Sequence, residues 1–198
     1  ANQDNIIGLV QNPRLSCVNN PAAGYEGEAE FASLKPARNP HRVLIMGGGP
    51  AGLEAARVAA LRGHRVTLYE RSPQLGGAIR LAAAAPGRER LALAVDWLEG
   101  QLRKLEVTIH TGIEMTAERI IAEAPDAVIV AVGGLPGGQR TVRFDSTAPV
   151  VNPRQIMRGE IPAPAGRAVI LDTLGDPVGM GVAEWLAERG WQVEIVTS

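Results

Sequence analysis

The chain has 198 residues, 45% of them hydrophobic but only 4% aromatic. That suffices for one domain and part of a second, with a core of Ala, Val, Leu and Ile rather than of rings. A formal net charge of −1 with no long basic run argues against nucleic acid or an anionic membrane surface as a partner. No apolar run reaches the ~18 residues of a membrane span. The start "ANQDNIIGLVQNP" does not read as a signal peptide, and a single cysteine, Cys17, excludes an internal disulfide framework. The cytosol is the expected compartment.

Residues 1–40 are rich in Asn, Pro and Gly and read as an arm or linker running over a surface. From Arg42 the character changes. "RVLIM" is a continuous apolar run, as in a strand buried on both faces of a parallel sheet. "GGGPAG" then leads into "LEAARVAALR", an alanine-rich helix that Gly63 can end in a left-handed conformation. "RVTLYE" is a second strand. "RERLALAVDWLEGQLRKL" predicts an amphipathic helix with Leu91, Val95, Leu98 and Leu102 along one face. "VTIH" is a third strand, and "TAERIIAEA" a short helix that Thr116 can cap. "DAVIVAVGG" predicts a fourth, strongly buried strand. Residues 136–166 are Pro-rich and irregular apart from a possible turn at "NPRQIMRG". The closing stretch, "RAVILDTLGDPVGMGVAEWLAERGWQVEIVTS", reads as strand, helix and strand.

This alternation implies an α/β fold, a Rossmann-like doubly wound parallel sheet followed by the beginning of a second β-α-β unit; the glycine loop and the acid after the second strand make it the FAD/NAD(P)-binding type. The expected organisation is an arm over 1–40, a dinucleotide-binding domain over 41–140, a crossover linker over 141–166 and the start of a second, degenerate NAD(P)-type unit over 167–198. Nothing in the pattern implies a metal site. No residue stands out as a catalyst: His41, His64 and His110 fall at a strand entrance, a helix–strand turn and a strand end, with no carboxylate or nucleophile placed beside them by the sequence.

The chemistry-bearing motif is the first glycine loop. Gly47, Gly49 and Gly52 have G-x-G-x-x-G spacing. The first allows a tight turn off the strand, the second lets backbone approach a pyrophosphate, and the third lets helix and sheet pack closely. The helix that follows points its free N–H groups at the phosphates. Pro50 fits the first helical turn, where its missing N–H costs nothing, and Ala51 follows it there. Glu70 ends the next strand, where a carboxylate accepts ribose hydroxyls and repels a 2′-phosphate; Arg71 follows. Gly76 and Gly77 let a loop pass close over a bound dinucleotide. "VIVAVGGLP" resembles the strand and turn of two-dinucleotide flavoproteins, whose usual motif is A-T-G. Here Ala131, Val132 and Gly133 take those places, so the threonine hydroxyl is missing while the glycine turn survives.

The closing unit echoes the first at a spacing of 127 residues: Gly52 pairs with Gly179, Ala56 with Ala183, Gly63 with Gly190 and Val66 with Val193. The match fails in the loop. The turn glycine becomes Thr173 or Asp172, the loop is one residue longer, Asp176 or Gly175 stands near the place of Gly49, and Glu70 becomes Thr197. Packing glycine is retained and phosphate chemistry is not, while Asp172 and Asp176 add negative charge. The expectation is a Rossmann scaffold with a weakened or lost NAD(P)H site.

Taken in order, "CVNNPAAGYE", "VLIMGGGPAGLEAARVAALRGHRVTLYE", "LGGAIRLAAAAPGRE" and "GVAEWLAERGWQVEIVTS" resemble the C-terminal region of the trimethylamine dehydrogenase and 2,4-dienoyl-CoA reductase flavoproteins, which are similar to old yellow enzyme at their N-terminal end. The resemblance spans essentially all 198 residues. It implies a preceding flavin TIM barrel carrying FMN in the intact enzyme, covalently joined to this region, and FAD or, alternatively, ADP in the first nucleotide site. It also implies an amine, N-methyl or enoyl substrate and an origin as a fragment of a longer oxidoreductase, not catalytically complete alone. In the family the arm carries a four-cysteine iron–sulfur segment. Ala1 and Asn5 occupy two of its ligand positions and only Cys17 remains, as a small buried or half-buried thiol, so no cluster is expected on this chain, although a 4Fe–4S cluster in the intact enzyme stays open. The competing expectation is a structural Rossmann module that docks subunits and binds no redox cofactor.

Overall fold

The computed structural model describes residues 17, 19–28, 33–134, 149–161, 165–173, 175 and 177–197. Ala1, Asn5 and Asp176 lie outside them. The first unit runs β1 (Arg42–Met46), α1 (Pro50–Leu61), β2 (Arg65–Glu70), α2 (Ala78–Ala83), α3 (Ala92–Lys104), β3 (Thr108–Thr111), α4 (Ala117–Glu123) and β4 (Ala127–Val130). Its four strands are all parallel, in the order β3-β2-β1-β4. A short helix, α5 (Pro153–Met157), precedes the second unit of β5 (Arg167–Asp172), α6 (Pro177–Ala187) and β6 (Gln192–Thr197), where β5 and β6 pair in parallel as a separate sheet. The α/β Rossmann-like fold with a doubly wound parallel sheet and a second, smaller parallel sheet is therefore as the sequence implies.

Alternate residues of the strands explain the layers. Val43 and Ile45 of β1 and Val66 and Leu68 of β2 face α1 and α3, where Leu53, Ala56, Val95 and Leu102 close the core. On the opposite face Tyr69 stacks on His110, and its hydroxyl donates to Glu123 Oε1 at the end of α4 (2.8 Å). Helices thus reach both faces. Gly63 ends α1 at φ +88°, with Gly63 N–H bonded to Ala60 O and His64 N–H to Ala59 O, the paired bonds of a Schellman motif.

Five readings need correcting. Leu91 is not on the buried face of α3: Glu89–Leu91 form a 3₁₀ turn, which rotates Leu91 outward to 43% exposure. β4 is exposed along its whole length, not buried, because among the described residues it is the edge strand and pairs with β1 alone. The turn at "NPRQIMRG" is the helix α5, started by a capping box in which Asn152 accepts from Gln155 N–H and the Gln155 side chain accepts from Asn152 N–H. Cys17 is exposed, in a turn bridged to Asn20 and away from the core. His41 does have a carboxylate beside it, Asp126 at 4.0 Å, but at the N-terminal edge of the sheet, where Asp126 also accepts Arg42 N–H.

Candidate functional site

The C-terminal ends of β1, β2, β3 and β4 lie on one edge of the sheet, and the order 3-2-1-4 puts the reversal of winding between β1 and β4. Open parallel sheets bind ligands at that switch point. The loop after β1 carries the three glycines, and residues 131–134 after β4 stand beside it.

What a side chain would meet at each glycine separates their tasks. Gly47, at φ +106°, lies against the carbonyl of Ala131, and a Cβ there would overlap it. A Cβ at Gly52 would overlap the Gly47 carbonyl. Those two glycines are demanded by the chain's own packing. Gly48, the middle of the triplet, is also hemmed in, by Leu75 and the Glu70 stem. Gly49 has no such explanation: its φ is −77°, and a Cβ would meet nothing within 4 Å. The space over Gly49 is open, and it lies at the start of α1. That helix has Pro50 in its first turn, no side-chain cap and no acidic residue in the turn. Ala51 and Gly52 therefore begin a helix whose N-terminal N–H groups and positive dipole end meet no side-chain cap and no first-turn carboxylate among the described residues. By contrast α4 and α5 are capped by Thr116 and Asn152.

Glu70 is only 7% exposed. Its Oε2 accepts Gly48 N–H at 2.6 Å and its Oε1 accepts Ser72 N–H at 2.7 Å. Burial pushes its pKa up, but the hydrogen bonds from Ser72 and Gly48 and the charge of Arg71 outweigh this and leave it below the ordinary value. The Ser72 side chain bonds the same carboxylate, whose two oxygens together offer about four acceptor sites, one more than these three bonds use. The double glycine closes the arrangement. Gly76 N–H donates to Gly48 O at 2.7 Å, and a Cβ on Gly77, at φ +52°, would stand 3.3 Å from Gly49 Cα. Arg80 supports this turn: its Nε donates to Leu75 O at 2.7 Å, and its stem occupies the space a Gly76 side chain would need.

The structure thus brings Gly47, Gly49, Pro50, Ala51, Gly52, Glu70, Gly76 and Gly77 to one place. Arg71 is exposed beside it. Val132 and Gly133 border it on the β4 side, Val132 with 62% exposure. Sequence reasoning missed Gly48, Ser72, Arg80 and the Ala131 carbonyl. Three consecutive glycines were a signal for Gly48. The others act through backbone groups or a long side chain, which no residue pattern reveals.

The cradle fits the pyrophosphate and ribose of an adenine dinucleotide: open space over one glycine, an uncapped helix start and a charged carboxylate at the strand end. The chain does not fit an iron–sulfur cluster on its own residues, because one cysteine cannot supply four thiolates.

In the second unit the pairing register settles the equivalences. Arg42 pairs with Arg65 and Arg167 with Gln192, so Asp172 stands in the place of Gly47 and Thr197 in that of Glu70. Six residues lie between Asp172 and Gly179, against four between Gly47 and Gly52, so the loop is two residues longer rather than one.

Residues 45–106 match the family described as NAD(P)-binding Rossmann-like domain. Over 194 residues the chain is 38% identical to an NADH oxidase of Thermoanaerobacter brockii, an alignment covering 95% of this chain and 29% of that protein. It is 40% identical over 189 residues to a probable N-methylproline demethylase of Rhizobium meliloti (strain 1021), covering 96% of this chain and 27% of that one. Among solved structures, 2-naphthoyl-CoA reductase in complex with 2-naphthoyl-CoA is similar at a TM-score of 0.81 and 33% identity, covering 91% of this chain and 26% of the other. The chain spans under a third of the length of each of these proteins. It is a Rossmann-type domain of the FAD/NAD(P)-binding kind, related to the broad superfamily of flavin oxidoreductases of the trimethylamine dehydrogenase and old yellow enzyme type.

Proposed function

We propose that the crevice over Gly49 holds the ADP moiety of FAD, or ADP itself, and that this chain is the nucleotide-binding part of a larger flavin-dependent oxidoreductase. The observation that carries the reading is Gly49: among the three fingerprint glycines, it is the one at which a side chain would meet none of the described residues. In the proposed complex the first turn of α1 faces the pyrophosphate, Glu70 accepts the ribose hydroxyls, and the loop at Gly76 and Gly77 lies over the nucleotide. Bound FAD would supply the redox chemistry, and these residues would hold and orient it.

An amine, N-methyl or enoyl substrate is supported by the names of the relatives, a demethylase of an N-methyl amino acid and a reductase of an aryl-CoA thioester among them. The substrate pocket would then lie outside these residues, in a flavin barrel of the same polypeptide. The second unit, with Asp172 and Thr197 where the first has Gly47 and Glu70, is read as a scaffold without an NAD(P)H site.

Denaturing the purified protein and recording the absorbance of the released small molecules tests the occupant. Flavin bands are expected for FAD, and adenine absorbance alone for ADP. Release of neither, together with failure to take up added ADP, would leave only a structural module.

A further inference from the structure

We infer that Asp172 is the residue that closes the second unit to dinucleotides, by placing its own carboxylate where the first unit has bare glycine backbone. In the first unit, the residue after β1 is Gly47, and its backbone carbonyl packs on Gly52. The equivalent residue of the second unit carries a side chain, and that side chain folds inward. A Cβ on Gly179 would lie 2.8 Å from Asp172 Oδ2 and 3.0 Å from its Cγ. Asp172 Oδ1 accepts Gly175 N–H at 2.9 Å, with Gly175 at φ +62°. The contact with the packing glycine is kept, but a carboxylate now makes it.

Two physical consequences follow. Gly179 lies in the first turn of α6 (Pro177–Ala187), so the carboxylate sits against the positive end of a helix. An internal anion there satisfies the feature that attracts a pyrophosphate, and repels an incoming one. The same carboxylate is held in place by the N–H of Gly175, so it is fixed at the strand end. Asp172 is therefore a specificity-determining residue of the second unit. Loss of the site does not follow from loss of the scaffold: β5, α6 and β6 stay packed through Val182, Trp185, Leu186 and Ile170.

This inference rests on the reading of the second unit as a scaffold without an NAD(P)H site and does not depend on the occupant of the first. Its test uses the full chain with Gly49→Ala, which blocks the proposed first site, and compares Asp172 with Asp172→Gly and Asp172→Ala. NADPH is the probe, because Thr197 presents no carboxylate to a 2′-phosphate. Affinity is read from NADPH fluorescence and location from hydrogen exchange in the first turn of α6. The inference expects at least tenfold tighter NADPH binding in Asp172→Gly, with new protection in that turn. If Asp172→Gly fails to fold by circular dichroism, Asp172→Ala decides by the same criterion. Unchanged affinity in a folded variant overturns the inference. So does a parent chain that already binds NADPH with protection of α6. Failure of the first-site reading would show separately, as ADP affinity that Gly49→Ala leaves unaltered.

Discussion

At Glu70 a carboxylate buried to 7% exposure keeps its charge because two backbone N–H groups converge on it. One belongs to Gly48, so the residue proposed to meet the ribose also ties down the loop proposed to meet the pyrophosphate. Glu70→Gln turns an amide N–H₂ toward one of those donors and should cost about 1–3 kcal/mol at neutral pH, the usual penalty for a buried donor without its acceptor. The folded-state pKa of Glu70 is lowered, so its contribution is present above the unfolded-state value of about 4.3 and is lost as pH falls through the lowered one. Urea unfolding of both proteins from pH 7 to pH 3 should show the difference narrowing on the acid side. A difference that stays constant over that range would mean the charge is not what the two N–H groups bind.

Elements differ in how far their residues predict them. The strand–glycine–helix run of β1 and α1 is legible because propensity, capping glycine and burial agree. The helix α3 is legible in its centre but not at its start, since apolar spacing does not distinguish a helical turn from a 3₁₀ turn. Leu102 is fully buried and Leu91 is 43% exposed, although both fit the same apolar face in sequence. Leu102→Ala should cost about 2–5 kcal/mol, and Leu91→Ala less than about 1 kcal/mol. Chemical denaturation that gave equal losses would contradict the rotation of Leu91 out of the core. β4 reads as a core strand because "AVIV" is apolar throughout. Sequence alone does not say which strand of a sheet ends up at its edge. "NPRQ" reads as a turn because Asn and Pro are turn formers, although Asn152 and Gln155 at that spacing also form the capping box that starts α5.

For the molecule as a whole, the two β-α-β units share a scaffold and differ in what stands at the strand ends. Their echo was visible in the residues that pack helix on sheet, Gly52 with Gly179 and Ala56 with Ala183. The loop alignment was not, and only the strand register resolves it to Asp172 for Gly47. The glycine fingerprint was legible as a motif, but its division of labour was not: Gly47 and Gly52 answer to neighbouring carbonyls, and Gly49 answers to empty space. That division allows ligand binding to be separated from folding by one substitution. Calorimetric titration of ADP into the parent chain and into Gly49→Ala, both first freed of any bound nucleotide, tests this. A single saturable site is expected in the parent, with affinity at least tenfold weaker in the variant and a thermal midpoint within a few degrees of the parent's. Equal affinity in the two proteins, or no saturable binding in the parent, would contradict a nucleotide over Gly49.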